Sequence, residues 1–341
     1  MKRQITKVIK SQKTASWLLI AISVLALLLL YTGMSPFNDV FWWLMNACLF
    51  TLALSLAVCT LARLKIYMRC RAMKPLGSII FHLGMVVVLL GFLANVLWGF
   101  KGDVFIPQGV MVKVPENMRV VKKGPLARSM PAYSVALDKL TYGRPNEHDK
   151  YRIRYAADVV FIDGAGQSRQ QVRINYQAFF RGMYWKYGNS GYSVFLNIKE
   201  GDKVIVNDYA NIATHGETAW YDTVPVTADL ILEIRYYPDF TKAKNGKYLS
   251  NTIFPNNPVM DLTIIEKGRR LGPVLIPMAQ SRSVGRFRVS FPRFRYWQIF
   301  DVGADPGRML ILAGCFATVA GLVWRVLLGE DTLPRMISKR L

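Results

Sequence analysis

Gly77–Phe100 reads GSIIFHLGMVVVLLGFLANVLWGF. At 1.5 Å per residue it is long enough to cross a hydrocarbon layer about 30 Å thick. It contains no Asp, Glu, Lys or Arg, yet it holds His82, one of three histidines in the chain. An ionisable side chain at such depth marks a functional position. Gly77, Gly84 and Gly91 recur at intervals of seven, and seven residues turn a helix by about 700°, nearly a whole number of turns. The glycines therefore form one smooth stripe suited to close helix–helix contact. His82 lies about 200° from Gly84 on the helical wheel, so it points away from that seam toward a different neighbour.

Working outward, apolar runs flank this stretch. Lys2, Arg3, Lys7, Lys10 and Lys13 precede the run Ala15 to Tyr31. The TGMSPF that follows is a poor signal-peptide cleavage site, so an uncleaved anchor is expected. A second span is expected from Val40 to Ala62, with Phe41, Trp42 and Trp43 at its outer interface. Arg63, Lys65, Arg69, Arg71 and Lys74 then mark an inside loop. The last span covers Arg308 to Leu328; Ala313, Gly314, Ala317, Ala320 and Gly321 make it another small-residue packing helix. Arg335, Lys339 and Arg340 follow it. Asn46 and Asn95 are polar positions within spans, and interhelical hydrogen bonding is their default role. The expected architecture is four α-helical spans with both termini inside, divided as 1–100, 101–305 and 306–341.

The protein is 341 residues long, 52% hydrophobic, with a formal charge of +22. Residues 101–305 hold 29 Lys and Arg against 19 Asp and Glu; the other 15 basic and 3 acidic residues cluster beside the apolar runs. The positive-inside rule accounts for that second cluster without nucleic acid. Residues 101–305 are expected on the outer face as a mainly antiparallel β sandwich-like domain. Tyr151 to Asp163 leads through Asp163-Gly164-Ala165-Gly166 into Gln167 to Asn175 as a hairpin. Further strands are expected at Tyr192 to Ile198, Val226 to Tyr236, Val259 to Ile265 and Val284 to Phe291. Arg293, Arg295, Tyr296 and Trp297 read as an aromatic and basic belt at the membrane surface. The cysteines, Cys48, Cys59, Cys70 and Cys315, all lie outside the β region. That region has neither an internal disulfide nor a thiol for exchange, and the four read as small apolar residues.

Phe81-His82-Leu83-Gly84, followed by Gly99-Phe100-Lys101-Gly102 and Val104 to Gly109, resembles the ResB (CcsB) family of the System II pathway of c-type cytochrome maturation. Asn175-Tyr176-Gln177 through Gly182-Met183-Tyr184-Trp185 and the Asp305-Pro306-Gly307 approach to the final span are similar to the family's stretches, and the plan of spans agrees over the whole chain. The resemblance implies a subunit of a cytochrome c synthase complex that handles haem b as transported substrate. It implies as partners apocytochrome c and a multi-span CcsA/ResC-like haem carrier with a Trp-rich WWD-type loop. This chain has no such loop, since Trp42-Trp43 is followed by Leu44; a partner is therefore expected.

On that resemblance His82 is the candidate axial ligand to haem iron. A neutral imidazole suits the role and supplies one bond, leaving the second ligand to another chain. The other reading is a histidine hydrogen-bonded to a neighbouring helix or carbonyl, since burial without a partner costs about 2–7 kcal/mol. Tyr176, Tyr184 and Trp185, within a run of aromatics, are a candidate surface for apocytochrome or porphyrin, with core packing as their other reading. His148 and His215 read as loop and turn residues without a metal-ligand pattern. No nucleophile–base pair, phosphate loop or HExxH is present, so a catalytic residue is not assigned. The rival function is a non-enzymatic membrane scaffold or sensor whose outer β domain binds a protein or polymer.

Overall fold

A computed structural model of the chain describes residues 17, 20–22, 24–25, 38–70, 76–142, 155–216 and 219–327. The first expected span lies largely outside these residues, and His148 wholly so. The described chain divides into two compact units. One is helical and includes Lys122–Arg128; the other is Lys101–Val121 with Ser129–Gly303.

The helical unit contains α1 (Asn38–Cys70), α2 (Leu76–Trp98) and α3 (Arg308–Leu327). Each has a segment long and apolar enough to cross a membrane: Trp43–Leu61, Leu76–Trp98 and Arg308–Leu327. α1 continues past the expected end of its span, so Arg63, Lys65 and Arg69 lie on its last turns instead of in a loop.

The glycine stripe of α2 meets a second heptad of glycines. Gly77 lies against Gly321, Gly84 against Gly314 and Gly91 against Gly307, a register that runs antiparallel. A Cβ on Gly84 would sit 2.5 Å from the Thr318 backbone nitrogen and 2.7 Å from the Gly314 carbonyl oxygen. On Gly314 it would sit 2.6 Å from the Val88 nitrogen. No side chain fits at such distances, so the two backbones touch. Gly307 N–H donates to Asn95 Oδ1 at 2.6 Å, satisfying a donor at the start of α3 that its own helix cannot. Asn95 thus has its expected interhelical bond. Leu126 N–H donates to Leu97 C=O at 2.8 Å, and Gly124 N–H to Gly99 C=O at 2.8 Å. Through these bonds Lys122–Arg128 closes off the end of α2.

The other unit is built of strands. In chain order they are β1 (Phe100–Pro107), β2 (Met111–Val114), β3 (Met118–Lys123), β4 (Tyr133–Tyr142), β5 (Tyr155–Asp163), β6 (Gly166–Arg173) and β7 (Ala178–Phe180). There follow β8 (Met183–Glu200), β9 (Lys203–Ile212), β10 (Thr214–His215), β11 (Trp220–Thr227), β12 (Leu230–Tyr237), β13 (Phe240–Lys242) and β14 (Tyr248–Ser250). The last are β15 (Val259–Glu266), β16 (Arg269–Pro277), β17 (Gln280–Val284), β18 (Phe287–Phe291) and β19 (Phe294–Ala304). An eight-stranded sheet runs β17-β18-β8-β19-β1-β3, with β7 and β9 also on β8; a five-stranded sheet runs β10-β11-β12-β15-β16, and a four-stranded one β2-β4-β5-β6. The β5–β6 hairpin turns at Asp163–Gly166 as expected, and Asp163 Oδ1 accepts from Ala165 N–H at 2.8 Å. That backbone bond, helped by Arg181, holds the Asp163 carboxyl below its usual range.

β8 serves two cores. Its second half (Tyr192, Val194, Leu196, Ile198) packs with Leu232, Ile234, Leu262 and Ile264 of the five-stranded sheet. Its first half carries Trp185, whose ring packs edge-on to Tyr133, Phe161 and Phe300. Between the halves, added Cβ atoms at Gly188 and Gly191 would meet Ile299 O at 2.7 Å and the Trp297 ring at 2.5 Å, and β19 shifts register between Gln298 and Phe300. Trp297 is therefore not part of a surface belt. It is 1% exposed, with Nε1–H donating to Tyr192 C=O at 3.0 Å. Pairing with Gly191 of β8 lets the Trp297 ring lie where a Cβ would otherwise stand, while Arg295 stacks 3.7 Å over the Tyr209 ring.

On the other face of the five-stranded sheet Asp261 is buried opposite Arg235. Desolvation raises its pKa, with Arg235 opposing.

Two stability predictions follow from this packing. Gly84→Leu is expected to cost about 1–3 kcal/mol or more through overpacking, whereas Gly164→Ala, with nothing within 4 Å of an added Cβ, stays within about 0.5 kcal/mol. Thermal unfolding of the full chain in detergent reads both. Because the folded pKa of Asp261 is raised, the folded state binds the proton more tightly, and stability falls as pH rises from the ordinary carboxylate range through the folded value. Asp261→Asn is therefore expected to gain melting temperature relative to wild type at neutral pH, with the gap closing on acidification.

Candidate functional site

His82 is set by helix geometry. Its Nδ1 lies 2.6 Å from the carbonyl oxygen of Ser78, one turn earlier. A carbonyl has no proton to give, so Nδ1–H is the donor, and a neutral ring in that tautomer carries its lone pair on Nε2. Metal-ligating histidines are commonly held this way, the bond from one nitrogen fixing the ring and raising the basicity of the other. Phe81 packs edge-on to the imidazole, with ring centroids 5.4 Å apart and planes at 78°. The backbone-carbonyl reading and the ligand reading are thus compatible, since they use different nitrogens.

The two sides of α2 have different tasks. Gly77, Gly84 and Gly91 are buried. Val86, Leu89 and Leu93 share a face with His82 by helical spacing, opposite the glycines. Those three line an apolar groove of about 240 Å³ against Asn46, Leu49, Ala53 and Ala57 of α1. An imidazole at the end of such a stripe can coordinate a metal carried in a flat apolar ligand. Among the described residues no group of three or more His, Cys, Asp or Glu could hold a bare metal ion.

The candidate aromatic surface resolves into separate positions. Tyr176 is 68% exposed, while Tyr184 and Trp185 are 6% and 0% exposed. Tyr176 alone of the three is exposed; Trp185 belongs to the core that β8 shares with β4, β5 and β19, and Tyr184, its neighbour along the strand, is buried on the opposite face. His215 does not sit in the turn expected for it. It is the last residue of β10, paired with Trp220, because the turn closes one residue later through Gly216 N–H to Ala219 C=O at 2.9 Å. Its exposed ring lies edge-on to Trp220, centroids 4.8 Å apart. Trp220 on the next strand, five residues along the chain, was the missed sequence signal, because a cross-strand aromatic gives an exposed histidine a fixed seat.

The fold and site define an α-helical membrane protein with a large, mainly antiparallel β unit. The sequence pattern of the ResB-like family matches residues 71–185. Cytochrome c biogenesis protein CcsB of Picosynechococcus sp. is 28% identical to this chain over 176 residues, 49% of this chain and 36% of that protein. The match thus spans about a third of the relative's length. The match over residues 71–185 includes the Phe81–Gly84 motif on which the resemblance rested. His82, the glycine stripe, Tyr176, Tyr184 and Trp185 all fall within the matched segment, and His215 lies outside it.

Trp185→Ala is expected to cost about 3–5 kcal/mol of stability. Tyr176→Ala is expected to leave the unfolding midpoint unchanged, so that any effect it has on a binding assay reports a surface role.

Proposed function

We propose that this chain is the ResB-like subunit of a System II cytochrome c synthase complex, assisting haem delivery across the membrane and haem attachment to apocytochrome c. On this reading four spans cross the cytoplasmic membrane with both termini inside, and residues 101–305 lie on the outer face. His82 is an axial ligand for haem b in transit. A CcsA/ResC-like carrier with a WWD-type loop supplies the second ligand and the attachment site.

The observation that carries the reading is the Nδ1 bond of His82 to Ser78 C=O on the face opposite the glycine seam. It holds the ring in the tautomer an iron ligand needs, while the other side of the helix does the packing. The ResB-like match and the printed role of the CcsB relative support the same assignment. Haem iron accepts the imidazole lone pair when bound; this chain's part is to orient that ring and to surround it with apolar side chains. With Cys48, Cys59 and Cys315 as free thiols in the helices and no cysteine in residues 101–305, reduction of the apocytochrome thiols falls to another protein.

The test is co-purification of the chain with its multi-span partner. Haem absorption at the membrane site is expected to vanish in His82→Ala and to return when imidazole is added. Unchanged haem content in His82→Ala would overturn the ligand role and favour the scaffold reading.

A further inference from the structure

The second half of β8 buries alternate residues, Tyr192, Val194, Leu196 and Ile198, so Ser193, Phe195, Asn197 and Lys199 face the other way. On that outward face β9 brings Tyr209 beside Phe195, with ring centroids 4.9 Å apart. Arg293, whose C=O accepts from Phe195 N–H at 2.9 Å, lays its guanidinium 4.8 Å from the Phe195 ring centre and 5.8 Å from that of Tyr209. Arg295 pairs with Ser193. It crosses that small, fully buried residue to come within 3.7 Å of the Tyr209 ring centre. Two guanidinium groups thus share one aromatic seat.

A second basic pole lies farther along the same face. Arg288 of β18 stands directly across from Lys199. Both are exposed, and like charges at opposed positions cost stability. Four residues separate Phe195 from Lys199, about 13 Å of extended chain. Between the poles Asn197 Nδ2–H donates to Asn207 Oδ1 at 2.7 Å. The acids nearest in sequence, Glu200 and Asp208, fall in register with the core residues Phe287 and Leu196, not with the outward ones. Among the described residues, Lys199, Arg288, Arg293 and Arg295 have no ion pair.

We infer that this face of the eight-stranded sheet docks an acidic, extended segment of a partner protein. The segment carries carboxylates at both ends of a stretch of about five residues, with neutral polar groups between them. A guanidinium stacked on a ring still presents N–H groups in its own plane, and that fork matches a carboxylate. The Asn197–Asn207 amides between the poles suit the backbone and hydroxyl groups of a peptide. A lipid headgroup layer fits less well, because proteins seated on membranes insert protruding rings, and here Phe195 and Tyr209 lie beneath guanidinium groups. The inference rests on neither histidine and goes beyond the haem reading.

The experiment places the full chain in nanodiscs of neutral lipid and reads the fluorescence anisotropy of a dye-labelled peptide with Glu at positions 2, 4 and 8. Binding is expected at low salt, weakening as salt screens it, and is expected to be absent for the counterpart with Gln at those positions. Arg293→Gln with Arg295→Gln is expected to weaken binding about tenfold or more. Arg293→Lys with Arg295→Lys is expected to restore only part, since an ammonium lacks the fork. Lys199→Gln with Arg288→Gln is expected to weaken binding while the melting temperature holds or rises, because a like-charge pair is removed. That arm keeps the test decisive if loss of Arg295 disturbs the packing on Tyr209. Lys242→Gln with Lys244→Gln removes as much charge from the β13–β14 hairpin and is expected to change binding less than about twofold. Unchanged binding in both face variants, or equal weakening by the hairpin control, overturns the inference. So does capture of vesicles of phosphatidylcholine and phosphatidylglycerol that both face variants lose while keeping the peptide, since the face then belongs to lipid.

Discussion

Backbone-to-backbone contact between α2 and α3 is the constraint on which the helical unit depends. In lipid, apolar side chains gain nothing by leaving one apolar medium for another, so helices associate through close packing and hydrogen bonds. Two glycine heptads, 77–84–91 and 307–314–321, remove the side chains that would hold the helices apart. The Gly307 to Asn95 hydrogen bond then fixes the register. A slide of one residue along either helix would put side-chain atoms where carbonyl oxygens now lie within about 3 Å of the opposing glycines. With one face of α2 committed in this way, the opposite face is settled too. His82 occupies it because 3.6 residues per turn leave no other choice.

A comparable economy operates in the β unit. β8 is 18 residues long, far beyond the usual 5 or 6. Its length lets one strand contribute to two separate hydrophobic cores, and β19 runs beside it with a register shift at the same level. Strong twist and a change of partner sheet need small residues there, which Gly188 and Gly191 supply by close approach to Ile299 and Trp297.

The legible parts of the sequence were those governed by local period or local chemistry. The glycine stripe of α2, Asn95 as an interhelical bond, the hairpin at Asp163–Gly166 and the mainly antiparallel strand class could all be read from spacing and turn residues. What could not be read depended on partners distant in the chain. Gly314 and Gly321 were legible as small residues, but the matching heptad with Gly307 acquires meaning only when the antiparallel register is known. Trp297 resembles an interfacial tryptophan in composition, and only its pairing with Gly191 and its bond to Tyr192 make it a core residue. Tyr176 and Trp185 belong to one aromatic run and yet end 68% and 0% exposed, because β8 begins between them.

The two described histidines show how one side chain takes different tasks from its surroundings. His82 has a carbonyl one turn away to fix its tautomer, apolar neighbours along its face, and no room on the glycine side. His215 has an aromatic ring beside it and a half-open cleft before it. Among the described residues neither belongs to a group of three or more His, Cys, Asp or Glu that could hold a bare metal ion, and what sets the two apart is the partner nearest each ring: a backbone carbonyl that fixes a tautomer for His82, an aromatic edge that fixes a seat for His215.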